Sequence, residues 1–310
     1  MLPADWSAKD ALLLALGIVT AIYLYILGTA LVRARAAAMA DASPSPTLAG
    51  IATGFFANFW DTLGIGSFAT TTTIFRQWKM VRDEWIPGTL NVGHTIPTIV
   101  QAFIFTKIVP VDSRTLILMI IAAIAGAWLG AGVVSRWPRR RVQLAMGFAL
   151  LTAAVLMLMA QLGSNPAGGT ALALTGSKLV MAVGGNFALG ALMTLGIGLY
   201  APSMILVSLL GMNPTAAFPI MMGSCAFLMP IASGRFIREK RYHPGVSLGL
   251  LLGGIPAVLI AAFIVKQLPL TAVRYLVVIV VLYTAINLLR TAFRDREVPV
   301  KGAEAKPAAL

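Results

Sequence analysis

Charge and cysteine are both scarce in this chain. Only 11% of its 310 residues are charged, less than half the share of an ordinary soluble domain, so the polar surface that water requires is missing. There is one cysteine, Cys225, set in an apolar run. That excludes an intramolecular disulfide framework and a Cys-x-x-Cys metal or redox motif. The 2 histidines and 11 acidic residues are scattered and form no His-Glu-x-x-His zinc site, and neither a Walker loop nor a Gly-x-Ser-x-Gly elbow is present. No catalytic site and no cofactor are expected.

What is abundant is apolar. With 58% hydrophobic residues and a mean hydropathy of +0.86, the chain reads as an integral membrane protein. Its length allows roughly eight or nine helical crossings of about 20 residues each, in one all-α bundle. The net charge of +13 would point to nucleic acid in a soluble protein. Here the lysines and arginines fall in short loops between apolar runs, where they set topology instead. The 14 methionines are spread through the apolar runs without paired histidines, as core filling rather than copper ligands.

In order, the chain offers an apolar run at about 11–32, read as a retained helix because it lacks the basic flank and cleavage site of a signal peptide. A polar linker completes a first unit, 1–45. The next unit, 46–162, begins with an interrupted apolar element at about 46–75 and continues with three uninterrupted runs at about 85–105, 116–134 and 142–162. A Gly/Ser/Asn/Pro-rich linker, 163–177, separates it from a second such unit, 178–293. That unit holds an interrupted element at about 178–210 and runs at about 216–233, 246–265 and 271–289. A polar tail, 294–310, follows.

The interruptions repeat. Thr62-Leu63-Gly64-Ile65-Gly66 recurs 132 positions later as Thr194-Leu195-Gly196-Ile197-Gly198, and Phe68-Ala69 as Tyr200-Ala201. Pro87 matches Pro219 at the same spacing, and Pro97 matches Pro230 with a slip of one residue. A pair of glycine-interrupted apolar segments at matching places in two halves points to a transporter's substrate site. Basic residues then choose between topologies. If each interrupted element dips into the membrane and returns, with the amino terminus outside, only Lys9, Lys107, Arg114, Lys178, Lys266 and Arg274 lie outside. The other 18 of the 24 basic residues are then cytoplasmic. Elements that crossed once would put the cluster at 136–141 opposite the earlier basic loops, against the cytoplasmic bias. Re-entrant hairpins also give each half an odd number of crossings, so the two halves are inverted.

Glycine permits the turns such a tip needs, and the helix resuming after it presents backbone N–H groups with a partial positive charge. Two opposed tips suit an anion. The candidate binding residues are Gly64, Ile65, Gly66, Ser67, Thr70 and Thr71 in the first half, and Gly196, Gly198, Tyr200 and Ser203 in the second. Asn91 and Ser224 hold corresponding places on the runs that follow. Asp61, an acidic residue inside an apolar segment, and His94 are candidates for carrying a proton or a co-transported cation. The competing readings are that Asp61 caps the helix after the break and that His94 packs between helices. Asn58, Gln101 and Asn186 either line the same cavity or join helices through their amides.

These residues resemble the TauE/SafE sulfite and organosulfonate exporter family, the toluene-sulfonate uptake permease group. The resemblance covers about 46–290 and rests on two half-repeats that each open with a glycine-interrupted hairpin. The family's first repeat is denser in glycine and has a proline; here Thr70 stands where the second copy has Pro202. The resemblance implies a secondary transporter in the bacterial inner membrane, moving sulfite or a short organosulfonate such as sulfoacetate, with a periplasmic amino terminus and a cytoplasmic carboxyl terminus. It leaves oligomeric state and transport direction open. An anion channel built on the same hairpins and a transporter of another small organic acid are the alternatives.

Overall fold

The computed structural model describes residues 7–36, 45–82, 85–134, 169–193, 198–267 and 269–294, with scattered positions between 140 and 158. All regular structure among them is helical. The helices are α1 (Ala8–Ala36), α2 (Leu48–Thr62), α3 (Ser67–Gln77), α4 (Ile86–Ile108), α5 (Ser113–Val134), α6 (Gly176–Met193), α7 (Tyr200–Leu209), α8 (Ala217–Arg238), α9 (Pro244–Gln267) and α10 (Leu270–Arg294). The described positions between 140 and 158 are helical as well. Four stretches, Ala8–Arg35, Gly176–Met193, Pro214–Arg238 and Pro244–Gln267, are long and apolar enough to cross a membrane. Large apolar side chains such as Ile22, Trp128, Val180, Phe263 and Ile279 lie exposed along the helices, as a lipid-facing surface requires.

The helices outrun the apolar stretches by a few residues at most ends. Charged and polar residues at those ends sit outside hydrocarbon without breaking the backbone ladder; α4 reaches Lys107 and α8 reaches Arg235 and Arg238. Both expected interruptions are present. The first is the turn Leu63–Gly66, where Gly64 has φ +98° and Gly66 has φ +86°, a region that costs any other residue about 1–2 kcal/mol. The second separates α6 from α7; Gly196 lies outside the described residues.

At roughly 1.5 Å per residue, neither α2 nor α3 spans a bilayer alone, and the chain doubles back. Thr53, near the start of α2, touches Met80 just beyond α3, with Oγ1 and Sδ 4.0 Å apart. The second interrupted element closes on itself too. Ala171, ahead of α6, bridges to Met212 after α7, and the Asn213 N–H donates to the Ala171 carbonyl at 2.8 Å.

These two closures lie at opposite ends of the bundle. The first sits with the start of α4 and the end of α8, where the His243 N–H donates to Thr89 and Thr95 meets Ser233. The second sits with the start of α5, where the Asp112 N–H donates to the Leu172 carbonyl and the Leu174 N–H to Thr115. Long helices pack in a reciprocal pattern: α2 against α9, α6 against α5, and α4 against α8. Small residues allow the close approaches. A Cβ on Gly54 would strike the Leu250 backbone of α9, and one on Gly190 would strike the Ala123 carbonyl of α5.

Candidate functional site

The breaks bring polar side chains into the middle of an apolar bundle. Asp61 lies in the last turn of α2, and its side chain is 2% exposed. Its Oδ1 accepts from the Ser67 backbone N–H at 2.5 Å, and its Oδ2 accepts from Gln101 Nε2 at 2.9 Å. The same Nε2 donates to Thr62 Oγ1 at 2.9 Å, while Gln101 Oε1 accepts from the Tyr200 hydroxyl at 2.9 Å. Gln101 comes from the middle of α4 and Tyr200 from the first residue of α7. One continuous chain of hydrogen bonds therefore joins the turn between α2 and α3 to the start of the helix after the second break. The two segments also touch directly, since a Cβ on Gly64 would lie 3.0 Å from Met204 Sδ.

This corrects one expectation. The first turn of α3 is not bare, because a carboxylate of the same chain already holds its leading amide. A carboxylate there is favoured both by the free N–H and by the helix dipole. The capping reading of Asp61 is thus realised, and it does not compete with a role in coupling, because Oδ2 faces Gln101. Space remains open at Gly66, where a Cβ would meet nothing within 4 Å. Phe68 follows it, half-buried, with its ring centroid 6.0 Å from that of His94.

A second group adjoins the first through α2. His94 is fully buried, with Nδ1 3.1 Å from Asn58 Oδ1 and Nε2 3.1 Å from Thr71 Oγ1. Asn58 Nδ2 donates to the Gly54 carbonyl at 2.7 Å, which fixes its amide and leaves Oδ1 as acceptor. His94 therefore donates from Nδ1 and accepts the Thr71 hydroxyl at Nε2, the assignment that satisfies every atom. The second half has a related pair. Asn186 of α6 donates to Ser224 of α8 at 3.2 Å and to the Met119 carbonyl at 2.7 Å. Its Oδ1 is buried without a partner, as is Ser203 Oγ.

The expected residues thus divide. Ser67, Thr71, Tyr200, Asp61 and His94 come together around α4, with Gly64, Ile65, Gly66 and Thr70 forming or following the turn. Ser224 is buried on Asn186, and Ser203 is buried in α7. Gly198 is exposed beyond the break. Asn91 does not join them: it is half-buried and its amide donates to the Pro87 carbonyl of its own helix at 2.9 Å. Cys225 is packed, with Sγ 3.8 Å from Met193 Sδ. The other histidine, His243, caps α9 through Val246, and burial holds its imidazole below the usual range.

Neither a family model, nor a curated protein, nor a solved structure aligns with this chain. The reading of the site therefore rests on its own residues. Gln101, like Asn58 and Asn186, had no definite role from the sequence, and its isolation among the apolar residues 99–105 was the available signal.

Proposed function

We propose that the protein is a secondary transporter for a small oxyanion, with sulfite or a short organosulfonate as cargo, of the TauE/SafE type. The single observation that carries this reading is the hydrogen-bond chain Asp61–Gln101–Tyr200, which joins two interrupted segments in the membrane interior. In this reading each segment is a re-entrant hairpin, and the two halves are inverted copies. The opposite placement of the two closures supports it, as does the reciprocal packing of α2 on α9 and α6 on α5. The related pairs Asn58–His94 and Asn186–Ser224 support it further.

Arg33, Arg76 and Arg235 lie in the last turns of α1, α3 and α8, and Lys79 and Lys240 just beyond α3 and α8; these helices end beside the first closure, which makes that end cytoplasmic under the positive-inside bias. The amino terminus is then periplasmic and the carboxyl terminus cytoplasmic, in a bacterial inner membrane. Cargo binds beside Gly66, where there is room, using the remaining amides of the first turn of α3 and the Thr70 and Thr71 hydroxyls. An ionised Asp61 would repel it. Cargo therefore arrives with a proton on Asp61, and the neutral pair escapes the cost of about 2.3 kcal/mol per charge per 100 mV that opposes anion uptake. Rocking of the halves about the α4–α8 contact would alternate access.

Flux into proteoliposomes tests this directly, comparing sulfite, sulfoacetate, taurine, thiosulfate and acetate with and without a pH gradient. Saturable sulfite or sulfoacetate flux that responds to the gradient is expected. Acetate flux alone would favour another organic acid, non-saturating currents would favour a channel, and no flux of any probe would defeat the reading.

A further inference from the structure

We propose that Gln101 is a positioning residue that transmits the protonation state of Asp61 to Tyr200, by turning its side-chain amide over. The proposal rests on the transporter reading for its purpose, and on the hydrogen-bond inventory for its content. In the arrangement described, Gln101 uses both Nε2 hydrogens, one on Asp61 Oδ2 and one on Thr62 Oγ1, and its Oε1 accepts from Tyr200. That pattern fits only a carboxylate that accepts at Oδ2.

A proton arriving from solution at Oδ2 turns that oxygen from acceptor to donor, and two donors would then face each other. Rotating the Gln101 amide by half a turn removes the conflict. Oε1 then accepts from the new Asp61 O–H, and the Thr62 hydroxyl turns to it from the Asn58 carbonyl, to which it now donates at 2.7 Å. Nε2 moves to the other side and donates to the Tyr200 oxygen. The Tyr200 proton must leave Gln101, and Thr98 lies within hydrogen-bonding reach to receive it. No proton passes along the chain: one is gained at Asp61, and each other group keeps its own.

The polar atoms of Asp61, Thr62, Gln101 and Tyr200 each keep a partner in both arrangements, with Nε2 using both hydrogens in the first and one in the second, whereas each mixed arrangement leaves two donors or two acceptors opposed. That is the property of a two-state element. Tyr200 also faces Asp61 directly, and the Gln101 variants separate the amide's contribution from that interaction. The titratable groups facing Asp61 are Tyr200 of α7 and Cys225 of α8, while α3 offers Ser67 and α4 offers Gln101. His94, also on α4, is turned to Asn58 and Thr71. Pairing Asp61 with Tyr200 through one rotatable amide places a single protonation event under the control of both interrupted segments.

Infrared difference spectra of the full-length protein in lipid, stepped between acidic and neutral buffer, test this without any cargo. Wild type should show a protonated-carboxyl band and a tyrosine band that rise with the same midpoint. Asp61→Asn should lose both, and Tyr200→Phe should lose the tyrosine band, which assigns the signals. Gln101→Leu should keep the carboxyl band and lose the tyrosine band. A tyrosine band that survives in Gln101→Leu with an unchanged midpoint overturns the proposal, as does a wild-type spectrum with no Asp61-dependent carboxyl band. If Gln101→Leu does not fold, Gln101→Met, closer to glutamine in shape, takes its place: loss of the tyrosine band with the carboxyl band kept supports the relay, and a tyrosine band with an unchanged midpoint overturns it. Failure of transport with these spectra intact would sink the transporter reading alone.

Discussion

Asp61→Ala should lower the stability of the protein by about 2–4 kcal/mol, the sum expected from a lost helix cap and a buried amide left without its acceptor. Both effects originate in one side chain. Oδ1 caps α3 through Ser67 and Oδ2 receives Gln101, so alanine orphans a backbone donor and a side-chain donor at once. Asp61→Asn separates cap from charge. Its amide oxygen still accepts from Ser67, and its NH2 group can donate to a turned-over Gln101, so its stability should stay within about 1 kcal/mol of wild type. Gradient-driven flux should nevertheless be lost, because asparagine holds the site in its protonated form. Thermal unfolding in detergent gives the first comparison and proteoliposome flux the second. Equal damage from Ala and Asn would mean that charge, not capping, dominates the fold here.

A second large effect is expected where α6 meets α5. Gly190→Ala places a methyl group into the Ala123 backbone, which has no rotamer with which to yield, and should cost about 1–3 kcal/mol by overpacking. Gly184→Ala, on the same helix, meets nothing within 4 Å. It should instead gain up to about 1 kcal/mol through helix propensity. The contrast within one helix removes any general effect of alanine. Similar melting temperatures for the two variants would contradict the packing described.

The glycines at 64 and 66 were legible in the sequence because a left-handed φ inside an apolar stretch leaves few residue choices. The helix boundaries were legible because apolar runs ending in charge have one stable form in a membrane. The long-range partners were not. Gln101 carries the same letter whether it joins two helices or three, and only folding brings Tyr200, 99 positions away in sequence, to its carbonyl. Asn91 misled for a related reason: a polar residue near His94 on the same helix closed onto its own backbone instead of turning inward. The amide at the start of α3 was expected to be free for cargo, while the alternative reading of Asp61, six positions earlier, as a cap for that helix is the one the structure shows. The second break matches the first by sequence, but its residues 194–197 lie outside the described structure.

The arrangement of the two interrupted segments is tested most directly by sidedness. In a Cys225→Ser background, single cysteines at Ser45 and Lys79 flank the first segment, and single cysteines at Ala173 and Gly211 flank the second. A membrane-impermeant thiol reagent is applied to oriented vesicles from each side. Ser45 and Lys79 should label together from one side, and Ala173 and Gly211 together from the other. Labelling of Ser45 and Lys79 from opposite sides would show a segment that crosses the membrane once, and would contradict the account.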